Sequence, residues 1–334
     1  MIYRRGVYSQ RADSVNTKFE FSVDTTQAGS LSTQFQLPLT SSSTPNFVIS
    51  WGDGNSDTIT VWNQAETLHT YSAGGTYNIS IDGVLNNWKF NSAGDDDKIL
   101  DISNWGTFIF DAEKIFKGCS NLTVTASDTP TISTVTLKET FASCSSLTAL
   151  NTTGWDLVGV TNFTAMFKSC SNLISVDLST WNMSSATVLS EMFNLCNDLT
   201  TIGDVSAWDT SSVNTMASMF INNFVLADLD VSSWDTSSVT NVGNMLDDCD
   251  LFDNSFALWD IRLITNFNNF MKNTPGLSTA NYDATLISWS GQTPSTGESP
   301  NFGGSQYTLG GAAETARNTL INTYSWTITD GGGI

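Results

Sequence analysis

Side chains able to do chemistry are few in this chain, and they are regularly spaced. Five cysteines, Cys119, Cys144, Cys170, Cys196 and Cys249, stand 25, 26, 26 and 53 residues apart, and Asn223 fills the place skipped by the longest gap. A zinc site draws on clustered ligands, usually in short Cys-x-x-Cys-type pairs, and no such pair occurs here. Thiols at one phase of a repeat read instead as small buried apolar residues. Neighbouring rungs lie close enough for disulfides, but side-by-side Cβ vectors suit that bond poorly, so free thiols are expected. The single histidine, His69, would have to carry any triad or imidazole metal site alone, and no Gly-x-Ser-x-Gly motif flanks it. Two carboxylate clusters remain, Asp95-Asp96-Asp97 and Asp247, Asp248, Asp250 with Asp253. Oxygen-rich loops hold Ca²⁺, which makes Asp95, Asp96, Asp97, Asp247, Asp248 and Asp250 its candidate ligands. Neither cluster has an EF-hand spacing, so the expectation is solvated surface. A glycosidase pair of carboxylates would need a substrate-lining aromatic context that no acidic pair has. The chain is therefore read as having no catalytic residue, no resident cofactor and no enzyme activity.

The elements that must position these residues are repeated. Trp155, Trp181, Trp208, Trp234 and Trp259 follow one another at 26, 27, 26 and 25 residues, with Trp105 and Trp289 outside them. A period of this length means stacked units that cover one another's apolar faces. Within a unit, Val160, Phe163, Met166, Phe167 and Cys170 have the spacing of an apolar helical stripe, and the next units repeat it. Asp-Thr-Ser-Ser at 209–212 and 235–238 would cap such helices. The period then changes to two, as in Leu173, Val176 and Leu178, which predicts a short strand. The expected fold class is thus α/β: a leucine-rich-repeat-like solenoid of about seven coils, each a short helix plus a strand, over residues 101–289. The tryptophans are expected to form an aromatic spine between coils, and such rows also stack on sugars.

Three other regions flank the repeats. Residues 1–18 carry Arg4, Arg5 and Arg11 and read as a basic arm that anchors the chain to an acidic neighbour in an assembly. Met1 to Lys18 has no apolar core of a Sec leader, so export without one is expected. Residues 19–100 alternate apolar and polar in several runs broken by glycine turns, which predicts a small all-β sandwich. Residues 290–334 hold a Gly/Pro/Ser-rich loop, an apolar helical stripe and a last strand, read as a cap on the repeats. The formal charge of −20, from 33 acidic and 13 basic residues, argues against nucleic acid as a partner. No apolar run is long enough to span a membrane.

The Trp-Asp-Thr-Ser-Ser-Val block and the Met, Phe, Cys and Leu positions after it, over residues 181–259, resemble the BspA-like leucine-rich-repeat surface proteins. Tyr282 to Trp289, Ala316 to Ile321 and Trp326 to Gly332 resemble that family's terminal segment. Trp51-Gly52-Asp53-Gly54, His69-Thr70-Tyr71 and Gly75-Thr76-Tyr77 resemble a PKD-type β-sandwich, a rigid extracellular spacer. The resemblance implies a non-catalytic exterior binding or adhesion protein whose partner is a host surface protein or glycan. Two settings follow. One is the surface of a phage virion, at the head, neck or tail fibre, as a homo-oligomer held to its neighbours by the N-terminal arm. The other is a bacterial cell-surface adhesin. A glycan-binding or glycan-cleaving protein is the remoter alternative.

Overall fold

The computed structural model describes residues 16–334; Arg4, Arg5 and Arg11 of the proposed arm lie outside them. Alternation of apolar and polar residues produces strands where it was read. β1 (Phe19–Asp24) turns Phe19, Phe21 and Val23 inward and its other residues outward. The following strands are β2 (Gln34–Gln36), β3 (Asn46–Ser50), β4 (Ser56–Ile59), β5 (Leu68–Thr70), β6 (Thr76–Val84) and β7 (Ile99–Asn104). β8 (Ile109–Phe110) pairs in parallel with β10 (Thr131–Ile132) on its own, while five of β1–β7 join β9 (Thr123–Val124) in a six-stranded sheet in the order β4-β3-β6-β1-β7-β9. All its neighbours are antiparallel except β7 and β9. β2 and β5 pair separately, with Phe35 opposite His69. The free edge at β4 is closed by one side chain: Gln64 Nε2 donates to the Thr58 carbonyl at 2.9 Å, and its Oε1 accepts from Thr60 N and Val61 N. The expected junction at 100/101 falls inside β7, which pairs with β1 on one side and with β9 on the other.

The expected α/β leucine-rich-repeat solenoid is not formed. The described residues are mostly strand and turn, in several small sheets, and the α-helices among them are α1 (Thr279–Ser290) and α2 (Ala312–Tyr324), both beyond the repeated stripes. Where a helix was read, each unit makes two successive four-residue turns. Met166 N donates to Phe163 O at 3.1 Å and Cys170 N to Phe167 O at 3.0 Å. The third residue of each turn, Ala165 and Ser169, has a positive φ of 54° and 61°, as a type II turn requires. Each turn's first and last residues point into the core, so two consecutive turns bury i, i+3, i+4 and i+7. An amphipathic helix buries the same positions, and the stripe alone does not separate them.

Outward-turned backbone groups then join unit to unit. Phe163, Ala165, Phe167 and Ser169 donate their N–H groups to the carbonyls of Val188, Ser190, Met192 and Asn194, at 2.7–3.0 Å. Parallel bridges carry the ladder from Thr136 through Asn162, Val188, Thr215 and Asn241 to Asn266. A regular helix would spend those groups internally and leave none for the neighbouring unit. The predicted caps are likewise turns: Asp209 Oδ1 accepts from Ser211 N and Asp235 Oδ1 from Ser237 N, as Asx turns do.

Candidate functional site

In the N-terminal sheet the predicted motif residues come together. Gly52 has φ 83°, and a Cβ there would stand 2.3 Å from the Asn78 carbonyl, so only glycine fits. That turn sets Asp53 so that its Oδ2 lies 2.9 Å from His69 Nε2. The imidazole stacks on Trp51 (4.5 Å, 5°) and meets the edge of Tyr71 (4.5 Å, 87°), which in turn stacks on Tyr77 (3.7 Å, 18°). Tyr71 donates to the Trp51 carbonyl at 3.1 Å, and Gly75 N donates to Thr25 Oγ1 at 3.0 Å. Burial alone would raise the Asp53 carboxyl, but His69 and Asn55 hold it below the usual range. Gly54, at φ 94°, completes the turn. His69 therefore packs and pairs: among the described residues its imidazole bonds to Asp53 and lies against Trp51 and Tyr71.

The first acidic cluster separates. Asp95 is buried and accepts from Ser30 N and Gln36 N, each at 2.6 Å, and from Ser30 Oγ at 2.8 Å. Lys98, fully buried beside it, donates to the carbonyls of Ser30, Leu31 and Gln34 at 2.8–3.0 Å. Burial pushes the Lys98 ammonium down against the pull of Asp95, whose Oδ1 is 3.8 Å away. Asp97 accepts from Ser120 Oγ, and burial raises the Asp96 carboxyl. In the second cluster, burial and then the neighbouring Asp248 raise Asp247. Asn273 donates to both, while Asp253 accepts from Ser278 N and Asn281. Asp250 is exposed. Among the described residues no three His, Cys, Asp or Glu side chains converge as a bound metal would require.

All five cysteines are free and buried, as read, but their position is not simply apolar. Cys144, Cys170, Cys196 and Cys249 donate their thiol hydrogens to the carbonyls of Phe116, Phe141, Phe167 and Phe220 in the unit before, at 2.9–3.2 Å. Asn223 does the same with its amide, at 2.8 Å to Phe193 O. What is repeated is a hydrogen-bond donor, which is why an amide can stand in for a thiol. Burial pushes the Cys170 thiol up to about 12 and the others well up too, so the thiolate that reacts or binds metal is disfavoured.

The tryptophans are also interior: Trp155, Trp181, Trp208, Trp234 and Trp259 are at most 6% exposed, so their faces are closed to a sugar. They stack only in pairs, Trp155 on Trp181 and Trp208 on Trp234. The continuous aromatic column is phenylalanine instead, Phe116, Phe141, Phe167, Phe193 and Phe220, at 5.4–5.8 Å and within 15° of parallel. Three indoles reach back one unit, from Trp208, Trp234 and Trp259 to the carbonyls of Leu178, Val205 and Val231.

The outer surface of the units carries two rows of aspartates beside scattered exposed apolar residues. Asp177, Asp204 and Asp230 form one row, and Asp156, Asp209, Asp235 and Asp260 lie in another; each accepts the backbone N–H two residues on. The serine side-chain and backbone donors hold Asp177, Asp204 and Asp209 below the usual carboxylate range. Basic residues interrupt this acidity, among them Arg262, which pairs with Asp260. Lys117 pairs with Glu139 and Lys168 with Glu191, each across to the next unit, and Lys114 stands 3.8 Å from Glu139. Sequence reasoning missed these pairs, although a Lys followed by a Glu three residues short of one period is their signal.

A family model described as "Mycoplasma protein of unknown function, DUF285" matches residues 86–201 and 173–284, together more than half of the chain. The chain belongs to the DUF285 family. The match covers the turn-built units from the end of β6 into α1, so the DUF285 region holds the cysteine, phenylalanine and tryptophan ladders. No curated protein and no solved structure matches the chain.

Proposed function

We infer that this DUF285 protein is a non-catalytic binding protein that works on the exterior of a cell or particle. The observation that carries the reading is how the chemistry-bearing groups are used. The five thiols, His69, Asp95 and Lys98 are all engaged in packing or in hydrogen bonds that hold the fold. What faces outward from consecutive units includes two rows of aspartates, a surface better suited to binding than to catalysis. The BspA-like resemblance of the repeats gives that surface an adhesive role towards a host protein or glycan. The PKD-like resemblance of the first sheet makes it a rigid spacer. The family description, a Mycoplasma protein, favours a bacterial cell as the setting over a virion.

The test is binding of the fluorescently labelled full chain to host cells, with and without enzymatic removal of surface protein or glycan. Saturable binding abolished by one of the two treatments is the expected result. Absence of saturable binding, or robust turnover of glycan substrates by the purified chain, would overturn the reading.

A further inference from the structure

The repeat supplies its own control for what the fold requires at each surface position. Ser120, Ser145, Ser171, Asn197 and Asp250 occupy one outward phase, where the fifth unit has Phe224. At the next phase Asn121, Ser146, Asn172 and Asp198 are followed by Val225 and Leu251. Just before the cysteine, the left-handed position is Gly118, Ser143, Ser169, Asn222, Asp248 or Asn273, but Leu195 in one unit. The architecture therefore accepts polar residues at all these places. Leu195, Phe224, Val225 and Leu251 are nonetheless apolar and 36–53% exposed. Leu195 N donates to Ile221 O, and Asn222 N to Asp247 O, which sets the three units side by side at about the 4.8 Å spacing of paired strands. The four residues thus lie on three adjacent units, within four phases of the repeat.

Two further irregularities fall on the same unit. The parallel bridges that start with Ala149–Leu150 on Ser175–Val176 and continue from Ser175 to Thr201 stop there, and residues 223–230 add none among the described residues. Asn223 replaces the cysteine, and its Oδ1 is buried without a partner. Other units also expose single apolar residues, such as Val158 and Ile174. At this unit, however, the packing and pairing departures coincide with surface ones, as is expected of a functional position.

We propose that this patch is a docking site for a cationic, apolar-anchored segment of a partner protein. Charge complementarity sets the partner's chemistry: Asp198, Asp228, Asp248 and Asp250 stand on the same three units within a few residues of these phases, and Lys272 is the opposing charge on the next rung. Aliphatic or aromatic side chains of the segment cover Phe224, Val225 and Leu251, while its Lys or Arg side chains meet the rim. The proposal rests on the binding reading above and names a class of partner for it.

The experiment measures binding of three twelve-residue peptides to the full chain by fluorescence anisotropy: alternating Lys-Leu, alternating Glu-Leu and alternating Lys-Ser. The Lys-Leu peptide should bind at least tenfold tighter than either control. Combining Leu195→Ser, Phe224→Ser, Val225→Asn and Leu251→Asn, residues that other units carry at these phases, should remove that tenfold and leave Lys-Ser unchanged. Asp198→Asn with Asp250→Asn keeps the apolar patch, and should weaken Lys-Leu binding severalfold at low salt. Equal binding of Lys-Leu to the parent and to both variants overturns the proposal. So does a dimer in sedimentation that the first variant dissolves, which would assign the patch to a second copy. Host-cell binding that survives the first variant would separate failure of this site from failure of the adhesive reading.

Discussion

At the scale of single residues, the thiol ladder makes stability depend on pH in one direction. Burial raises the Cys170 thiol from an ordinary value near 9 to about 12, and the other four move the same way. Between those values the unfolded chain has lost protons that the native chain keeps. The stabilisation is complete below pH 9 and is lost as pH rises towards 12, by about 1.4 kcal/mol per pH unit for each thiol. Urea midpoints at pH 8 and pH 10 should therefore differ steeply, and Cys170→Asn should make the dependence shallower by one proton. An unchanged midpoint at pH 10 would mean that the thiols are not buried donors. Asn223 gives the complementary test. Its amide donates to Phe193 O and Phe220 O, while its buried Oδ1 has no partner. Asn223→Cys keeps the donor to Phe193 and removes the stranded oxygen. The lost bond to Phe220 O, about 1 kcal/mol, with the longer shared contact to Ile221 O, stands against a desolvation cost of about 1–3 kcal/mol that is relieved. A net gain near 1 kcal/mol is expected in chemical denaturation, and a loss would show that the second amide bond matters more than the oxygen.

At the scale of elements, left-handed residues carry the turns, and few of them are glycine. Glu139, Ser143, Ala165, Ser169, Glu191, Leu195, Ser218 and Asn222 all have positive φ, each at a cost of about 1–2 kcal/mol for a residue with a Cβ. The rung-to-rung ladder holds them there, because each unit's carbonyls are fixed by the N–H groups of its neighbour. The first unit uses Gly118 at the phase of Ser169, with φ 89°. Ser169→Gly should therefore stabilise the protein by roughly 1 kcal/mol and raise Tm by about 2 °C. A lower Tm would show that the strain lies elsewhere. These residues also explain what was legible in the sequence. The period, the buried set and the strands of the first sheet were all readable, because each depends on which side chains face inward. The path between Phe163 and Cys170 was not, because two turns and one helix bury the same four positions. The usual mark of a left-handed turn, glycine or asparagine, is absent from Ala165 and Ser169. The thiol's role as a donor was hidden for a related reason: Cys170 and Asn223 look unlike until Phe141 O and Phe193 O are found opposite them.

At the scale of the whole molecule, the first sheet and the repeats share a strand and a core. In β7, Ile102 pairs antiparallel with Phe21 and parallel with Val124, and it is fully buried. The buried cluster runs without a gap from Phe19 through the phenylalanine column to Trp326, which packs on Phe267 and Trp289. Repeat arrays commonly unfold in pieces, since each unit touches only its neighbours. Here the terminal pieces do not separate cleanly. Removing the first sheet strips β9 of its partner, and melting the repeats exposes one whole side of β7. Unfolding is therefore expected as one transition, with tryptophan fluorescence and far-ultraviolet circular dichroism sharing a midpoint. Ile102→Ala, a cavity at the shared strand, should cost about 2–5 kcal/mol and move both signals together. Were the sheet and the repeats independent, the same substitution would split the curve, with an early loss of the sheet and an unmoved repeat transition. The shared strand and core tie the first sheet, the repeats and the C-terminal pair of helices into one cooperative body.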